Sequence, residues 1–309
     1  MKVLFMGTPN FAVPVLEGLI EHYDVFCVVS QPDKKVGRKQ EFKCTPIKEV
    51  ALKNSILVLQ PVKIKEEYQE ILALKPDIIV TCAYGQIIPK EILDYPKYGC
   101  INVHASLLPK YRGGAPIHRA IINGDKKTGV TIMYMDVGMD DGDIISQREI
   151  PILDTDNLES IHDKLSVLGR ELLLDTLPSI IDGTNKRISQ KSDEVSFAYN
   201  ISREEEHIDF SKSNIEIFNL IRGLSKVPGA NAVLFDHEMK IYDSIYLDKE
   251  YFDKKDGEIV DIEKRGIVVS CGKGSILLTK IKPFGKGMMD ASSYVNGIGK
   301  EKLIGQVFL

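Results

Sequence analysis

Apolar runs alternate with segments of helical periodicity through the first part of this 309-residue chain, and this alternation constrains the fold most. The run at 25–30, Val-Phe-Cys-Val-Val-Ser, is continuously apolar until its last residue, as in a strand that is covered on both faces. The strand-like runs lie at 2–6, 25–30, 57–59 and 77–81, and the helical segments at 11–21, 46–53 and 65–74. Strand, helix and strand at this spacing predict a doubly wound α/β domain with a mostly parallel sheet.

The remainder of the chain changes character after a long predicted helix at 157–177. A polar stretch at 182–202 has little periodicity, and short β-like runs separated by Gly and Asp turns follow it. The runs lie at 232–235, 239–247, 257–262, 266–271 and 275–281. Five short strands predict a small OB-like β-barrel. We therefore expect a catalytic domain at 1–188, a linker at 189–204 and a barrel domain at 205–309.

Composition excludes several classes of protein. Hydrophobic residues make up 43% of the chain, and no stretch approaches the roughly 20 apolar residues that a membrane helix needs. The apolar N-terminus is broken at Gly7 and Pro9, so it predicts a buried strand and not a signal peptide. The five cysteines form no Cys-x-x-Cys pair, which argues against structural zinc. A cytoplasmic, monomeric protein without a metal is expected.

Local charge differs from the net charge of −4. Six bases and one acid lie between Lys34 and Lys48, and eight bases and two acids between Lys264 and Lys302. Basic segments on an acidic chain are candidate phosphate-binding surfaces, although lysines that are merely solvated remain an alternative.

The most informative motif is Asn102-Val103-His104. On a strand this spacing directs both polar side chains to one face, at a carboxyl end where α/β sheets bind ligands. An amide can stabilise an oxyanion and an imidazole can move protons, so the pair predicts acyl transfer to an amine. A lone half-buried histidine is usually structural, but the neighbouring amide favours catalysis here.

An acidic loop at 136–143 contains four aspartates. Aligning Asp141-Gly142 with a calcium loop puts Val137 and Met139 at ligand positions, which argues against calcium. A solvated turn remains open, as does a carboxylate that orients His104. Gly-x-Gly-x-x-Gly is absent, so dinucleotide binding is not predicted.

Together these motifs resemble the methionyl-tRNA formyltransferase family over nearly the whole chain. They are Phe5-Met6-Gly7-Thr8-Pro9, Gln31-Pro32-Asp33, Gly37-Arg38, Ala83-Tyr84-Gly85, Asn102-Val103-His104, Ser106-Leu107-Leu108-Pro109, Tyr111-Arg112-Gly113-Gly114-Ala115-Pro116, Thr128-Gly129-Val130-Thr131 and the stretch 135–143. The Asn-x-His and the later aspartate also resemble relatives that formylate glycinamide ribonucleotide or sugar nucleotides, so they indicate the chemistry more than the acceptor.

The resemblance implies that Asn102 and His104 polarise the formyl group of 10-formyltetrahydrofolate, and that Asp140 is the catalytic acid. The family often has Thr where this chain has Asp141. Further implied binding residues are Ser106, Leu107, Leu108 and Pro109 for folate, and Lys34, Lys35, Arg38, Lys39 and Lys43 for tRNA. Because a basic barrel suits an RNA acceptor, initiator methionyl-tRNA is the expected partner. The alternatives are an amino-sugar nucleotide acceptor and an RNA-binding protein with a vestigial site.

Overall fold

A computed structural model describes residues 1–36 and 40–309. The chain forms two compact units. Unit 1 comprises Met1–Pro116, Lys127–Pro151 and His162–Tyr199, and unit 2 comprises Ile117–Lys126, Ile152–Ile161 and Asn200–Leu309. The last break, between 199 and 200, falls inside the predicted linker at 189–204. The division into 1–188, 189–204 and 205–309 stays a prediction.

Strands and helices follow one another up to residue 181, largely in the alternation that the hydrophobic pattern predicts. They are β1 (Lys2–Gly7), α1 (Val13–His22), β2 (Asp24–Val29), β3 (Lys34–Val36), β4 (Glu41–Lys43), α2 (Pro46–Lys53), β5 (Leu57–Leu59), α3 (Ile64–Ala73), β6 (Ile78–Cys82), α4 (Lys90–Leu93), β7 (Cys100–His104), α5 (Pro116–Ile122), β8 (Lys127–Tyr134), β9 (Ile144–Pro151) and α6 (Leu158–Ile181). Local sequence sets the start of some helices. In α2, for example, the Thr45 side chain accepts a hydrogen bond from the Lys48 amide, and Pro46 begins the first turn.

The sheet of unit 1 has the strand order β5-β2-β1-β6-β7-β8-β9. The first five strands are parallel, and β8 and β9 run antiparallel at one edge. The predicted mostly parallel sheet is therefore confirmed. The chain extends from β1 to β2 and β5, then returns to β6 and β7 on the other side of β1. Ligands of open α/β sheets bind at the carboxyl ends of strands near such a reversal.

A short hairpin follows β2, in a stretch for which the sequence pattern predicts no strand. Its arms, β3 and β4, pair antiparallel with Lys34 opposite Lys43. The residues at 37–39, between the arms, lie outside the described part of the chain.

Unit 2 contains an antiparallel sheet and short helices. The elements are α7 (Asn214–Leu224), β10 (Ala230–Leu234), β11 (His237–Leu247), β12 (Ile259–Glu263), β13 (Gly266–Ser270), β14 (Ser275–Lys282), β15 (Met289–Asp290), α8 (Ala291–Ile298) and α9 (Lys300–Leu303). The strand order is β10-β11-β14-β13-β12, with β15 beside β14. All five predicted strands are present, whereas β15, α8 and α9 were not predicted.

Residues 305–309 close this sheet into a barrel. Leu309 exchanges two backbone hydrogen bonds with Val233 of β10, of 2.6 and 2.9 Å. On the other side, the Ile259 amide of β12 donates to the Gln306 carbonyl at 2.8 Å, and the Phe308 amide donates to the Gly257 carbonyl at 2.8 Å. The tail thus joins the two edge strands, and the predicted barrel is confirmed.

The helices are too short or too polar for a bilayer. In the ranges 1–36 and 40–309, none combines the length and apolarity that crossing a membrane requires.

Candidate active site

Strand β7 presents Asn102 and His104 at the carboxyl edge of the unit 1 sheet. Asn102 pairs in register with Thr81 of β6, and His104 with Thr131 of β8. The Thr81 hydroxyl donates to the Asn102 side-chain oxygen at 2.8 Å. With the hydroxyl as donor, the amide NH2 group is the end that is left to donate to a ligand.

His104 has a polar neighbour at each ring nitrogen. Its side chain is only 6% exposed. Nε2 lies 3.0 Å from the Tyr111 carbonyl oxygen, and Nδ1 lies 3.6 Å from Oδ2 of Asp140. Because a carbonyl can only accept, Nε2 is the donor in this contact, and Nδ1 is the ring atom on the side of Asp140.

Asp140 is distinguished from the other acids of its loop by its contacts. Its Oδ2 accepts a 2.8 Å hydrogen bond from the Gly113 amide, and its backbone is in the left-handed region at φ 47°. The Asp136 carboxylate instead caps the Val137 amide, and Asp143 binds Arg187. Asp141 is exposed. Among the described residues, the structure thus brings Asp140 of these four acids to His104.

Gln190 joins the two loops that surround His104. Its side-chain nitrogen donates to the backbone oxygens of Asp140 and Gly142, both at 2.8 Å, and its oxygen accepts from Arg112 Nε at 3.0 Å. Sequence reasoning missed Gln190 because its partners are distant in the chain and glutamine has no motif that marks this role.

A strap of residues 196–199 supports the loop from Tyr111 to Ala115. Arg112 donates from its amide to the Ser196 carbonyl at 2.9 Å and accepts from the Ala198 amide at 2.7 Å. Gly113 has φ 119°, and a Cβ there would approach the Ala198 carbonyl oxygen to 2.9 Å, so only glycine suits this position. The backbone pairing with the strap and the close packing at Gly113 therefore hold in place the loop that contacts His104 and Asp140.

The segment Ser106–Pro109 forms a rigid turn directly after β7. Thr131 Oγ1 donates to the Ser106 carbonyl at 2.6 Å and accepts from the Leu108 amide at 3.1 Å, while Gln147 donates to the Leu108 carbonyl at 2.8 Å. The Ser106 hydroxyl donates to the Lys110 carbonyl, and the Leu108 side chain is buried. Leu107 and Pro109 are half-buried and offer the surface that a ligand could contact.

The described basic residues of the hairpin are exposed. Lys34, Lys35 and Lys43 lie on its two arms, whereas the predicted Arg38 and Lys39 lie outside the described residues. At its base, Lys48 contacts Asp33 at 2.6 Å. Hydrogen bonds from Lys48 and Gln60 lower the pKa of Asp33, and the same carboxylate raises the pKa of Lys48.

Metal-ligating side chains do not cluster in the part of the chain that the structure describes. No group of three His, Cys, Asp or Glu residues there is arranged to hold a metal ion.

Comparison with known families agrees with this geometry. Residues 1–177 match the family model for formyl transferases, and residues 200–299 match the model for the formyl transferase C-terminal domain. These matches and the fold identify the chain as a formyltransferase.

Sequence relatives show to which family of formyltransferases the chain belongs. The methionyl-tRNA formyltransferase of Geobacillus sp. (strain WCH70) is 49% identical over 99% of this chain and 97% of its own length. That of Bacillus subtilis (strain 168) is also 49% identical, over 96% of this chain and 94% of its own. The chain belongs to the methionyl-tRNA formyltransferase family.

Solved structures share the fold at lower identity. An N-formyltransferase from Helicobacter canadensis, in complex with folinic acid and dTDP-3-aminofucose, is 24% identical with a TM-score of 0.69, covering 92% of this chain and 100% of its own. HypX from Aquifex aeolicus, in complex with tetrahydrofolic acid, is 17% identical with a TM-score of 0.67. That match covers 96% of this chain but only 47% of HypX.

Proposed function

We propose that this chain transfers the formyl group of 10-formyltetrahydrofolate to the α-amine of methionyl initiator tRNA, with Asn102, His104 and Asp140 at the reacting centre. Family membership supports the reaction and the acceptor. The main structural support for this site is the distance of 3.6 Å between Asp140 Oδ2 and His104 Nδ1. His104 lies on the strand face that also bears Asn102.

The reaction forms one C–N bond and breaks another. The neutral amine of the methionyl group attacks the formyl carbon, and negative charge develops on the formyl oxygen. The Asn102 NH2 group and the Nδ1–H of the protonated His104 ring, whose Nε2–H is taken by the Tyr111 carbonyl, donate to this oxyanion, which lowers the barrier because the donors are already oriented. Collapse then expels the folate nitrogen, which takes up a proton as the former amine loses one.

Asp140 acts through His104 in this scheme. The Tyr111 carbonyl accepts from Nε2, and the Asp140 carboxylate lies beside Nδ1. The hydrogen bond to Tyr111 holds the ring in one orientation, and the nearby carboxylate offsets the positive charge of the protonated ring. Gly113 and Gln190 in turn hold Asp140 by its side chain and backbone.

The binding assignments follow the same pattern. Folate contacts the turn of Ser106, Leu107, Leu108 and Pro109, of which Leu107 and Pro109 have accessible side-chain surface. The tRNA contacts the exposed Lys34, Lys35 and Lys43, together with Arg38 and Lys39. Lysines placed in this way bind the phosphate backbone without reading sequence. The enzyme works in the cytoplasm as a monomer.

A second acceptor class is an amino-sugar nucleotide, because an N-formyltransferase solved with dTDP-3-aminofucose shares this fold. The test supplies labelled 10-formyltetrahydrofolate with either methionyl-tRNA or an amino-sugar nucleotide and measures the formyl group on each acceptor. Rapid labelling of methionyl-tRNA alone is expected. Labelling of the sugar nucleotide alone would overturn the proposed acceptor, and labelling of neither would overturn the enzymatic function.

A further inference from the structure

Two aromatic side chains of the strap are exposed beside the candidate active site. Phe197 is 49% exposed and Tyr199 is 61% exposed, whereas Ala198 between them is fully buried. Extended backbone alternates its side chains, so Ala198 faces the core while both rings face outward. The rings stack on each other, with centroids 5.6 Å apart and planes 9° apart.

The strap that carries these rings is firmly held. Phe197 forms a parallel bridge with Arg112, and the Ala115 amide donates to the Ala198 carbonyl at 2.9 Å. The Tyr111 amide also donates to the Ser196 hydroxyl at 3.0 Å. The outward position of the rings is therefore set by backbone pairing on both sides of Ala198.

This strap pairs with the same loop that contacts the two site residues. Within that loop, the Tyr111 carbonyl lies 3.0 Å from His104 Nε2, and the Gly113 amide donates to Asp140. Paired backbones lie roughly 4.8 Å apart, so the aromatic strap is one strand spacing from the loop that lines the reacting centre.

We propose that Phe197 and Tyr199 form a stacking platform for the terminal nucleobase of the acceptor RNA. This inference rests on the proposed function. In an aminoacylated RNA the reacting amine is joined to the terminal ribose through one amino acid and an ester, so the terminal base must lie close to the reacting centre. Planar exposed rings bind a base through its π-face, which every nucleobase has.

A kinetic comparison tests the platform. The Phe197→Ala/Tyr199→Ala double variant should raise the KM for methionyl-tRNA by at least about fivefold, since stacking on aromatic rings contributes measurably for each base. The KM for 10-formyltetrahydrofolate should stay unchanged. Phe197→Tyr/Tyr199→Phe, which keeps both rings, should behave like wild type, as should Tyr95→Ala at another exposed ring of unit 1.

A spectroscopic test separates stacking from a structural effect. The chain has no tryptophan, so Phe197→Trp introduces a single tryptophan at the platform, whose emission can be excited separately from that of the tyrosines. Its fluorescence should be quenched by intact tRNA and much less by the same tRNA without its terminal nucleotide. Tyr199→Trp serves as a second probe if Phe197→Trp does not fold.

The outcomes distinguish this inference from the proposed function. Equal quenching by intact and truncated tRNA, or an unchanged KM in the double alanine variant, would overturn the platform while leaving formyl transfer in place. A concentration-dependent quenching without RNA would instead identify the rings as a contact between copies of the chain. Absence of transfer in the wild-type protein would overturn the proposed function itself.

Discussion

Thr81 orients the side-chain amide of Asn102. It is buried on β6, and its hydroxyl lies 2.8 Å from the Asn102 side-chain oxygen. With that contact in place, the amide presents its NH2 group and not its oxygen to a ligand. Thr81 is therefore a positioning residue for the proposed oxyanion donor.

Replacing Thr81 by valine keeps the shape of the side chain but removes the hydroxyl. We expect kcat to fall about tenfold or more, because a misoriented amide loses part of the stabilisation that an oxyanion donor supplies. The KM values for both substrates should change little, and Thr81→Ser should restore the rate. Steady-state kinetics with methionyl-tRNA checks this, and an unchanged kcat in Thr81→Val would exclude the positioning role.

At the residue scale, the sequence indicates which side chains share a strand face, because periodicity carries that information. Asn102 and His104 share a face because strand side chains alternate, and this was readable in advance. Spacing could not select Asp140 from four nearby aspartates, because its approach to His104 depends on a left-handed backbone and on the Gly113 amide. Thr81 and Gln190 were missed because they act through partners 21 and 50 residues away.

At the scale of elements, Gln190 links the two loops around His104, and replacing it tests whether this link matters for catalysis. Gln190→Ala removes the two hydrogen bonds to the Asp140 loop and the one from Arg112. We expect kcat to fall about tenfold, because small misplacements of catalytic groups carry large rate penalties. The KM for folate should change little, and Gln69→Ala, at an exposed glutamine of α3, should retain full activity. An unchanged kcat in Gln190→Ala would contradict this role.

A pair between Arg119 of α5 and Glu205 gives unit 2 a pH-dependent contribution to stability. The Arg119 guanidinium, 2.5 Å from the carboxylate, is the main cause that lowers the pKa of Glu205 from 4.5 to about 2. A carboxylate whose pKa is lower in the folded protein than in the unfolded chain stabilises the fold at any pH above the unfolded-state pKa. That contribution is lost as the pH falls towards the folded-state pKa.

The free energy of unfolding of the wild type should fall as the pH is lowered from 4.5 to about 2. The fall should be smaller in Glu205→Gln, which lacks the carboxylate. The difference should be modest, since the Glu205 side chain is 42% exposed and solvent screens the pair. Urea unfolding at pH 5 and pH 2.5 provides the measurement. Identical pH dependence in the two proteins would contradict the assignment.

Elements with strong local signals were predictable, and those that depend on distant pairing were not. The buried parallel strands were evident as continuous apolar runs. The arms β3 and β4 are three residues each, too short for a periodic signal, and their pairing is with each other. Helices α8 and α9 were missed because they are only eight and four residues long, and because α8 contains Ser, Asn and Gly, which favour helices weakly.

At the scale of the whole molecule, the barrel of unit 2 depends on its last residues. Phe308 is 2% exposed and stacks on Phe210 at a centroid distance of 5.7 Å, whereas the neighbouring Leu309 is 70% exposed. The tail also supplies the backbone hydrogen bonds that join β10 and β12. The sequence predicted a barrel but not its closure, because the pairing of the tail with both edge strands is non-local.

Phe308→Ala should lower the free energy of unfolding by about 3–5 kcal/mol, as is usual when a buried phenylalanine is truncated. Leu309→Ala should change it by no more than about 0.5 kcal/mol, since its side chain is exposed. Urea unfolding at neutral pH compares the two. Equal stabilities for both variants would contradict closure of the barrel by a packed tail.

The two-unit organisation was predictable only in part. The change from α/β alternation to short strands indicated a second domain, but not that 117–126 and 152–161 belong with it. Sequence patterns divide a chain only into contiguous domains. Compact units are defined by contacts in space, so they can include segments that are distant in the sequence.

The central claim is that Asn102, His104 and Asp140 together carry out formyl transfer to methionyl-tRNA. Its most direct test is the single-turnover rate constant with saturating 10-formyltetrahydrofolate, measured for the wild type and for Asn102→Ala, His104→Ala and Asp140→Ala. The rate should fall by about 10²–10³ on loss of the oxyanion donor and about 10²–10⁴ on loss of the imidazole. Asp140→Ala should fall in the same direction, with circular dichroism unchanged in all three. Near wild-type rates in the three folded variants would contradict the account.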